Sequence, residues 1–170
     1  MTAYSPEAWE SFFVANAGAA AALAGLVFVG VSINVDEIVA SRRLTGRALE
    51  AFTVLSGVLI VAAVGLAPDI GDTGYGISLV VIGVVLEIVV GWQQLRALPS
   101  FGGEAGDAVP RGSNLVRITV GQATVLSLLV AGATLLAGAG GGLYWLVAAV
   151  ALGYTGSLTN AWVLLIEIRR

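Results

Sequence analysis

One acidic residue lies deep inside an apolar stretch of the sequence. Glu87 comes about 11 residues after Gly76, where the stretch begins, which at 1.5 Å per residue of helix places it about 16 Å into a bilayer, near the midplane. A carboxyl group at that depth usually faces a bundle interior or a water-filled path, where it binds a cation or carries a proton. Gly83, Gly91 and Gln94 share its helix face. We therefore predict Glu87 and Gln94 as permeation residues.

Asn160 is the third residue of this predicted ion or proton site. It ends a polar run, Tyr154–Asn160, within the last apolar stretch of the chain. A second interpretation of Glu87 remains open, in which the carboxyl group stays protonated and hydrogen-bonds to a neighbouring helix. Asn160, Gln122 and Thr124 are the partners considered for that bond.

Several other kinds of chemistry are disfavoured by the residues present. The chain has no Cys and no His, which removes thiol and imidazole chemistry and any structural zinc site. Gly138–Gly142 is not followed by Lys, so a tight interhelical turn is expected there rather than a phosphate-binding loop. Asp36, Glu87 and Glu167 are too widely spaced to predict a catalytic dyad. We expect no enzyme activity, catalytic residue, metal or cofactor.

The elements that carry these residues are predicted to be membrane-spanning helices. Hydrophobic residues make up 58% of the 170 residues, and the mean hydropathy is +0.94. About 20 apolar residues suffice to cross the hydrocarbon layer. We predict an all-α integral membrane bundle, a single domain over residues 1–170, with five spans at about 12–35, 49–67, 76–95, 115–138 and 143–166.

The arginines predict the orientation of these spans. Short loops rich in Arg stay on the cytoplasmic side. All eight basic residues are arginines on one predicted side: Arg42, Arg43 and Arg47 after the first span, Arg96, Arg111 and Arg117 around the connection between the third and fourth, and Arg169 and Arg170 at the end. The opposite side carries acidic residues. We predict a multi-pass plasma-membrane protein with its N-terminus outside and its C-terminus inside. Because topology accounts for the arginines and the net charge is −3, no nucleic-acid partner is expected.

The predicted cytoplasmic side contains a candidate mouth and a loop. Asp36 and Arg117 lie near cytoplasmic ends of spans, so they are assigned to the mouth of a pathway. Glu50 is interpreted as part of a solvated mixed-charge link with Arg42–Arg47, where ion pairs contribute little. Residues 99–114 are rich in Gly and Pro and are predicted to form a mobile cytoplasmic loop.

Small residues at helical spacing predict seams for close helix packing. Small side chains let helix backbones approach closely in lipid. The seam residues are Gly18, Ala22 and Gly25 in the first span, and Thr124 and Ser127 in the fourth.

Two functions are compatible with this pattern. Five spans cannot be divided into equal repeats, and a bundle this small encloses little volume, so a pathway is expected at an oligomer axis. The first hypothesis is a homo-oligomeric channel for ions or protons that uses Glu87. The alternative is a non-conducting accessory or scaffold protein that binds a larger membrane partner, with Glu87 as an interhelical hydrogen bond only.

The N-terminal sequence carries a family resemblance. The motif Tyr4–Trp9, the small-residue tract Gly18–Gly25 and the segment Val31–Asn34 resemble small uncharacterised multi-span membrane proteins of high-GC, actinobacterial-type bacteria. The resemblance covers mainly the first span. It implies a membrane protein of that kind and assigns no activity to any residue.

Overall fold

The computed structural model describes residues 2–96 and 111–166, and every regular element in these ranges is helical. Two 3-10 turns, Thr2–Tyr4 and Pro6–Trp9, precede α1 (Glu10–Ile33), α2 (Val35–Ala40), α3 (Arg42–Gly65), α4 (Gly71–Arg96), α5 (Arg111–Ala137) and α6 (Tyr144–Ile166). Five segments are long and apolar enough to cross a membrane: Pro6–Ile33, Arg42–Gly65, Gly71–Arg96, Leu115–Ala137 and Tyr144–Leu165. The predictions of an all-α chain and of five such helices are confirmed.

The predicted loop at 99–114 falls mostly outside the described residues. Residues 99–110 lie there, whereas 111–114 belong to α5. The helix thus begins earlier than the apolar stretch at 115 suggested. A helix does not need apolar residues in its first turn, because its backbone hydrogen bonds do not depend on apolar side chains.

Local chemistry explains where the helices turn. The Ser41 hydroxyl accepts a hydrogen bond from the backbone N–H of Leu44 at 3.4 Å, which caps α3. Asp69 and Gly71 adopt positive φ angles of 58° and 63° between α3 and α4. Four glycines of Gly138–Gly142 also have positive φ, a conformation that favours glycine, and they form the turn between α5 and α6. Such short connections make consecutive helices antiparallel neighbours.

Four helices form a ring, and the fifth long helix lies outside it. α3 packs against α4, α4 against α5, α5 against α6, and α6 against α3. α1 lies on the outside of α3 and touches α6 less. Consistent with that position, only 17% of the most apolar part of the first span is buried, against 44% for α3.

The two ends of the ring differ in composition. We call the end where α3 and α5 begin and α4 ends the arginine end, because it carries Arg47, Arg96 and Arg117, and the opposite end the glycine-turn end. The half near the glycine-turn end is filled by apolar side chains and one buried tyrosine: Phe13, Val61, Ala62, Tyr75, Leu79, Leu128, Ala131, Leu135, Leu143, Leu146 and Ala149. The Tyr75 hydroxyl donates to the carbonyl oxygen of Val61 at 3.1 Å. This half of the interior is therefore closed by side chains.

The N-terminal segment covers the glycine-turn end. The backbone N–H of Leu143 donates to the Ala3 carbonyl at 2.8 Å, and that of Gly141 donates to the Tyr4 hydroxyl oxygen at 3.2 Å. Gly142 must lack a side chain, because a Cβ there would overlap the Ala3 carbonyl oxygen.

Candidate functional site

An ion pair is buried near the arginine end of the ring. Arg117 on α5 places Nη1 3.0 Å from Oε2 of Glu50 on α3, and the two side chains are 15% and 5% exposed. This length is usual for an N–H···O hydrogen bond, and the opposite charges make the bond stronger than one between neutral groups. The interpretation of Glu50 as part of a solvated link is wrong. Glu50 continues the buried face of α3 formed by Val54, Val58 and Val61, and this i, i+4 spacing was the sequence signal that could have placed it inside.

Asn160 lies at the level of this ion pair. On α6, Gly156 faces Val120 of α5, since a Cβ added at Gly156 would lie 3.3 Å from Cγ1 of Val120. Further along α6, Leu164 packs with Ala48 of α3. Asn160 lies between those two levels and is 4% exposed. Asn160 therefore lies near the arginine end, at the level of Glu50 and Arg117.

Glu87 makes its polar contact with Gln122. One end of the Gln122 side-chain amide lies 3.1 and 3.2 Å from the two carboxylate oxygens of Glu87, and the other end lies 3.0 Å from Gln94 Oε1. Of the three partners considered from the sequence, Gln122 is the one in contact. The Thr124 hydroxyl instead donates to the Val120 carbonyl of its own helix at 2.8 Å.

Gln94 lies between the Glu87–Gln122 contact and the Glu50–Arg117 ion pair. The Gln94 side chain is buried, and its Nε2 atom has no hydrogen-bond partner among the described residues. Gln94 Nε2 and Glu50 Oε1 both lie beside Gly121. A Cβ added at Gly121 would lie 2.7 Å from Gln94 Nε2 and 3.4 Å from Glu50 Oε1. Glu87, Gln122, Gln94, Glu50 and Arg117 thus form a line of polar groups, which we call the polar network.

The outer part of the polar network lies at the edge of the ring. Glu87 and Gln122 are partly exposed at the seam between α4 and α5, and Gly91 beside them is partly exposed as well. An added Cβ at Gly91 would lie 3.7 Å from Glu87 Oε1. The neighbouring Val84 and Ile88 are exposed and apolar. The carboxyl group therefore borders on the surface that would face lipid.

The interior of the ring beyond the polar network is apolar. A cavity of about 30 Å³ lies among α3, α4, α5 and α6, and Thr124 is the polar member of its lining. An apolar space of this size normally stays dry. The part of the chain that the structure describes therefore contains no aqueous pore within one protomer at this level.

The remaining predicted residues lie apart from the polar network. Gly18, Ala22 and Gly25 are exposed on the outer face of α1, with no described atom within 4 Å of a Cβ added at either glycine. Asp36 is exposed on α2, whereas Arg117 points into the bundle. In the predicted seam of α5, Thr124 is buried and Ser127 is partly buried.

Comparison of the chain with protein-family models, with curated proteins and with solved structures finds no match. A proposal of function must therefore come from the chemistry of the site.

Proposed function

We propose that the protein is a homo-oligomeric plasma-membrane protein that lets protons cross the bilayer, with Glu87 as the proton-binding residue. The observation that carries the proposal is the contact of Glu87 with Gln122 at the lipid-facing edge of the α4–α5 seam. An ionisable group at this depth needs a polar partner, and such groups commonly mark ion or proton paths.

The proposed orientation has its N-terminus outside. Arg47, Arg96 and Arg117 lie at one end of the ring, while Asp69 and Asp72 lie in and just after the turn at the other. The positive-inside rule assigns the arginine end to the cytoplasm. The polar network would then lead from the cytoplasmic side toward the middle of the membrane.

Oligomerisation is supported by the exposure of Glu87 and Gln122. Polar groups that face hydrocarbon carry a free-energy cost, and a second copy of the chain placed over the α4–α5 seam would remove it. The absence of a side chain at Gly91 leaves room for a close approach. Copies arranged around an axis would bring their Glu87 side chains to one shared path.

Protons fit the site better than hydrated metal cations. Each copy offers one carboxyl group and two side-chain amides at this position, fewer oxygen ligands than a bound metal cation usually takes. No group of three or more His, Cys, Asp or Glu that could hold a metal ion occurs within residues 2–96 and 111–166. A carboxyl group beside an amide can still take up and release a proton.

The test is proton flux into liposomes that contain the purified protein, with potassium flux measured in parallel. We expect proton uptake by the wild type and loss of most of it in Glu87→Gln, which keeps the shape of the side chain. Glu37→Gln is the control, because Glu37 is exposed on α2. Equal flux in wild type and Glu87→Gln would refute the proposal, as would a folded oligomer with no flux above empty liposomes.

The outer face of α1 favours a second candidate, a non-conducting accessory protein. Gly18, Ala22 and Gly25 form an exposed face of small residues that no described residue covers. Such faces are used for helix contacts in membranes, so a helix of a larger membrane partner would fit there. In this case Gly25→Leu would abolish association with the partner in cells, while Glu87→Gln would leave that association unchanged.

A further inference from the structure

We propose that a buried water molecule binds beside Gly121, between the side chains of Gln94 and Glu50, and that it couples the protonation of Glu87 to the Glu50–Arg117 ion pair. The biological meaning of this coupling rests on the proposed function, because it connects the proton-binding residue to the arginine end. Its physical content concerns hydrogen bonding and does not depend on flux.

The site offers one donor and one acceptor to a bound water. Gln94 is 6% exposed, and its Nε2 atom has no partner among the described residues. Glu50 is 4% exposed, and its Oε2 atom is engaged by Arg117 while Oε1 faces Gly121. Buried waters in proteins typically bond to such unsatisfied polar groups. Leaving the amide unpaired in this buried position would cost more than immobilising one water.

The ionised form of Glu87 sets one direction of hydrogen bonding. A carboxylate only accepts, so the Gln122 amide nitrogen must face Glu87. The Gln122 oxygen then accepts from the Gln94 nitrogen, which turns the Gln94 oxygen toward Gly121. In this state the water donates one hydrogen to Gln94 and the other to Glu50.

The protonated form of Glu87 sets the opposite direction. The carboxyl O–H donates to the Gln122 oxygen, and the Gln122 nitrogen donates to the Gln94 oxygen. The Gln94 nitrogen then faces Gly121 and donates to the water, which still donates to Glu50. A direct contact between Gln94 and Glu50 would be satisfied in this state alone, whereas a water satisfies both because it can donate and accept.

The charged groups around Glu87 are compatible with this coupling. α3 presents Glu50 and Arg47 at the arginine end of the ring, and α5 presents Arg117. The carboxyl group that is in contact with the Gln122 amide is that of Glu87, so its protonation is the one that reverses the two amides. Glu50 Oε1 accepts from the water in both states, and this bond is stronger when the water also accepts from the Gln94 nitrogen, because hydrogen bonds in a chain polarise one another. Glu50 Oε2 keeps its contact with Arg117.

The absence of a side chain at Gly121 lets Gln94 Nε2 and Glu50 Oε1 both approach the backbone of α5. A methyl group there would lie 2.7 Å from Gln94 Nε2 and 3.4 Å from Glu50 Oε1. Gln94 Nε2 is the end of a flexible side chain, so Gly121→Ala is expected to fold while displacing both the amide and the water. Gly46→Ala is the matched control, because nothing described lies within 4 Å of the added methyl group.

The experiment is infrared difference spectroscopy of the full-length protein in lipid vesicles during a pH titration, in ordinary water and in water labelled with oxygen-18. Glu87→Gln and Glu50→Asp assign the two carboxyl bands, the second variant being chosen because it keeps the charge of the ion pair. In the wild type we expect the Glu50 band and a label-sensitive water band to change together with the Glu87 band. In Gly121→Ala the Glu87 band should persist, while the water band and the Glu50 response are lost.

The opposite results overturn the inference. A wild type without a label-sensitive band, or a Gly121→Ala variant that behaves like the wild type and Gly46→Ala, would show that no water couples the two groups. Coupling without any flux would refute the proposed function and leave this inference standing. Flux that depends on Glu87, without coupling, would support the proposed function and refute this inference.

Discussion

The close approach of α4 and α5 depends on a missing side chain at Gly132. A Cβ added there would lie 3.0 Å from the backbone nitrogen of Val80 and 3.1 Å from the carbonyl oxygen of Gly76. Real Cβ atoms seldom come this close to a neighbouring atom. Because both opposing atoms belong to the backbone, no rotamer change relieves the overlap, and Gly132→Ala must push the helices apart by a few tenths of an ångström.

The expected cost follows from two opposing terms. Overpacking of this kind destabilises by about 1–3 kcal/mol. Replacing Gly by Ala in a helix contributes up to about 1 kcal/mol in the other direction. We therefore expect Gly132→Ala to lower the free energy of unfolding by about 1–2 kcal/mol.

Reversible unfolding in a denaturing detergent, followed by circular dichroism, measures this difference. Gly18→Ala is the matched control, because it adds the same methyl group to a helix face where no described atom lies within 4 Å. The control should be neutral or slightly more stable than the wild type. The reasoning fails if both substitutions change stability equally, or if Gly132→Ala is the more stable variant.

Three further substitutions probe the polar contacts. Glu50→Gln should cost about 3 kcal/mol in the same unfolding assay, because it removes the negative charge that lies 3.0 Å from the partly buried guanidinium of Arg117; a cost below about 1 kcal/mol would contradict the burial of the pair. Thr53→Val removes the hydroxyl that accepts from the Gln93 amide at 3.1 Å and should cost about 0.6 kcal/mol, typical of interhelical bonds in membranes. Tyr4→Phe removes the acceptor of a backbone N–H in the α5–α6 turn, so hydrogen exchange of that turn should accelerate while that of α3 stays unchanged.

The sequence predicted the helices better than it predicted their contacts. Long apolar stretches report membrane helices directly, since length and hydropathy are local properties. Three candidate partners of Glu87 could also be named from the sequence, but the choice of Gln122 required knowing that α4 and α5 are neighbours.

The burial of Glu50 escaped prediction for a related reason. A charged residue at the start of an apolar stretch is compatible with a solvated surface or with a buried pair. Arg117 decides between them, and it lies 67 residues away in the sequence. The exposure of the small-residue face of α1 is similar, because small residues pack closely wherever a partner exists, within the protomer or outside it.

The N-terminal segment has a consequence for the order in which the molecule is assembled. Tyr4 and the turn residue Gly141 that bonds to it are 137 positions apart. The segment is synthesised before any of the five membrane helices, yet its hydrogen-bond partners arrive with the last of them. Closing so long a loop is entropically costly until the intervening helices are packed. The glycine-turn end is therefore sealed late in biosynthesis, and an intermediate that lacks α6 would leave the apolar core open on that side of the bilayer.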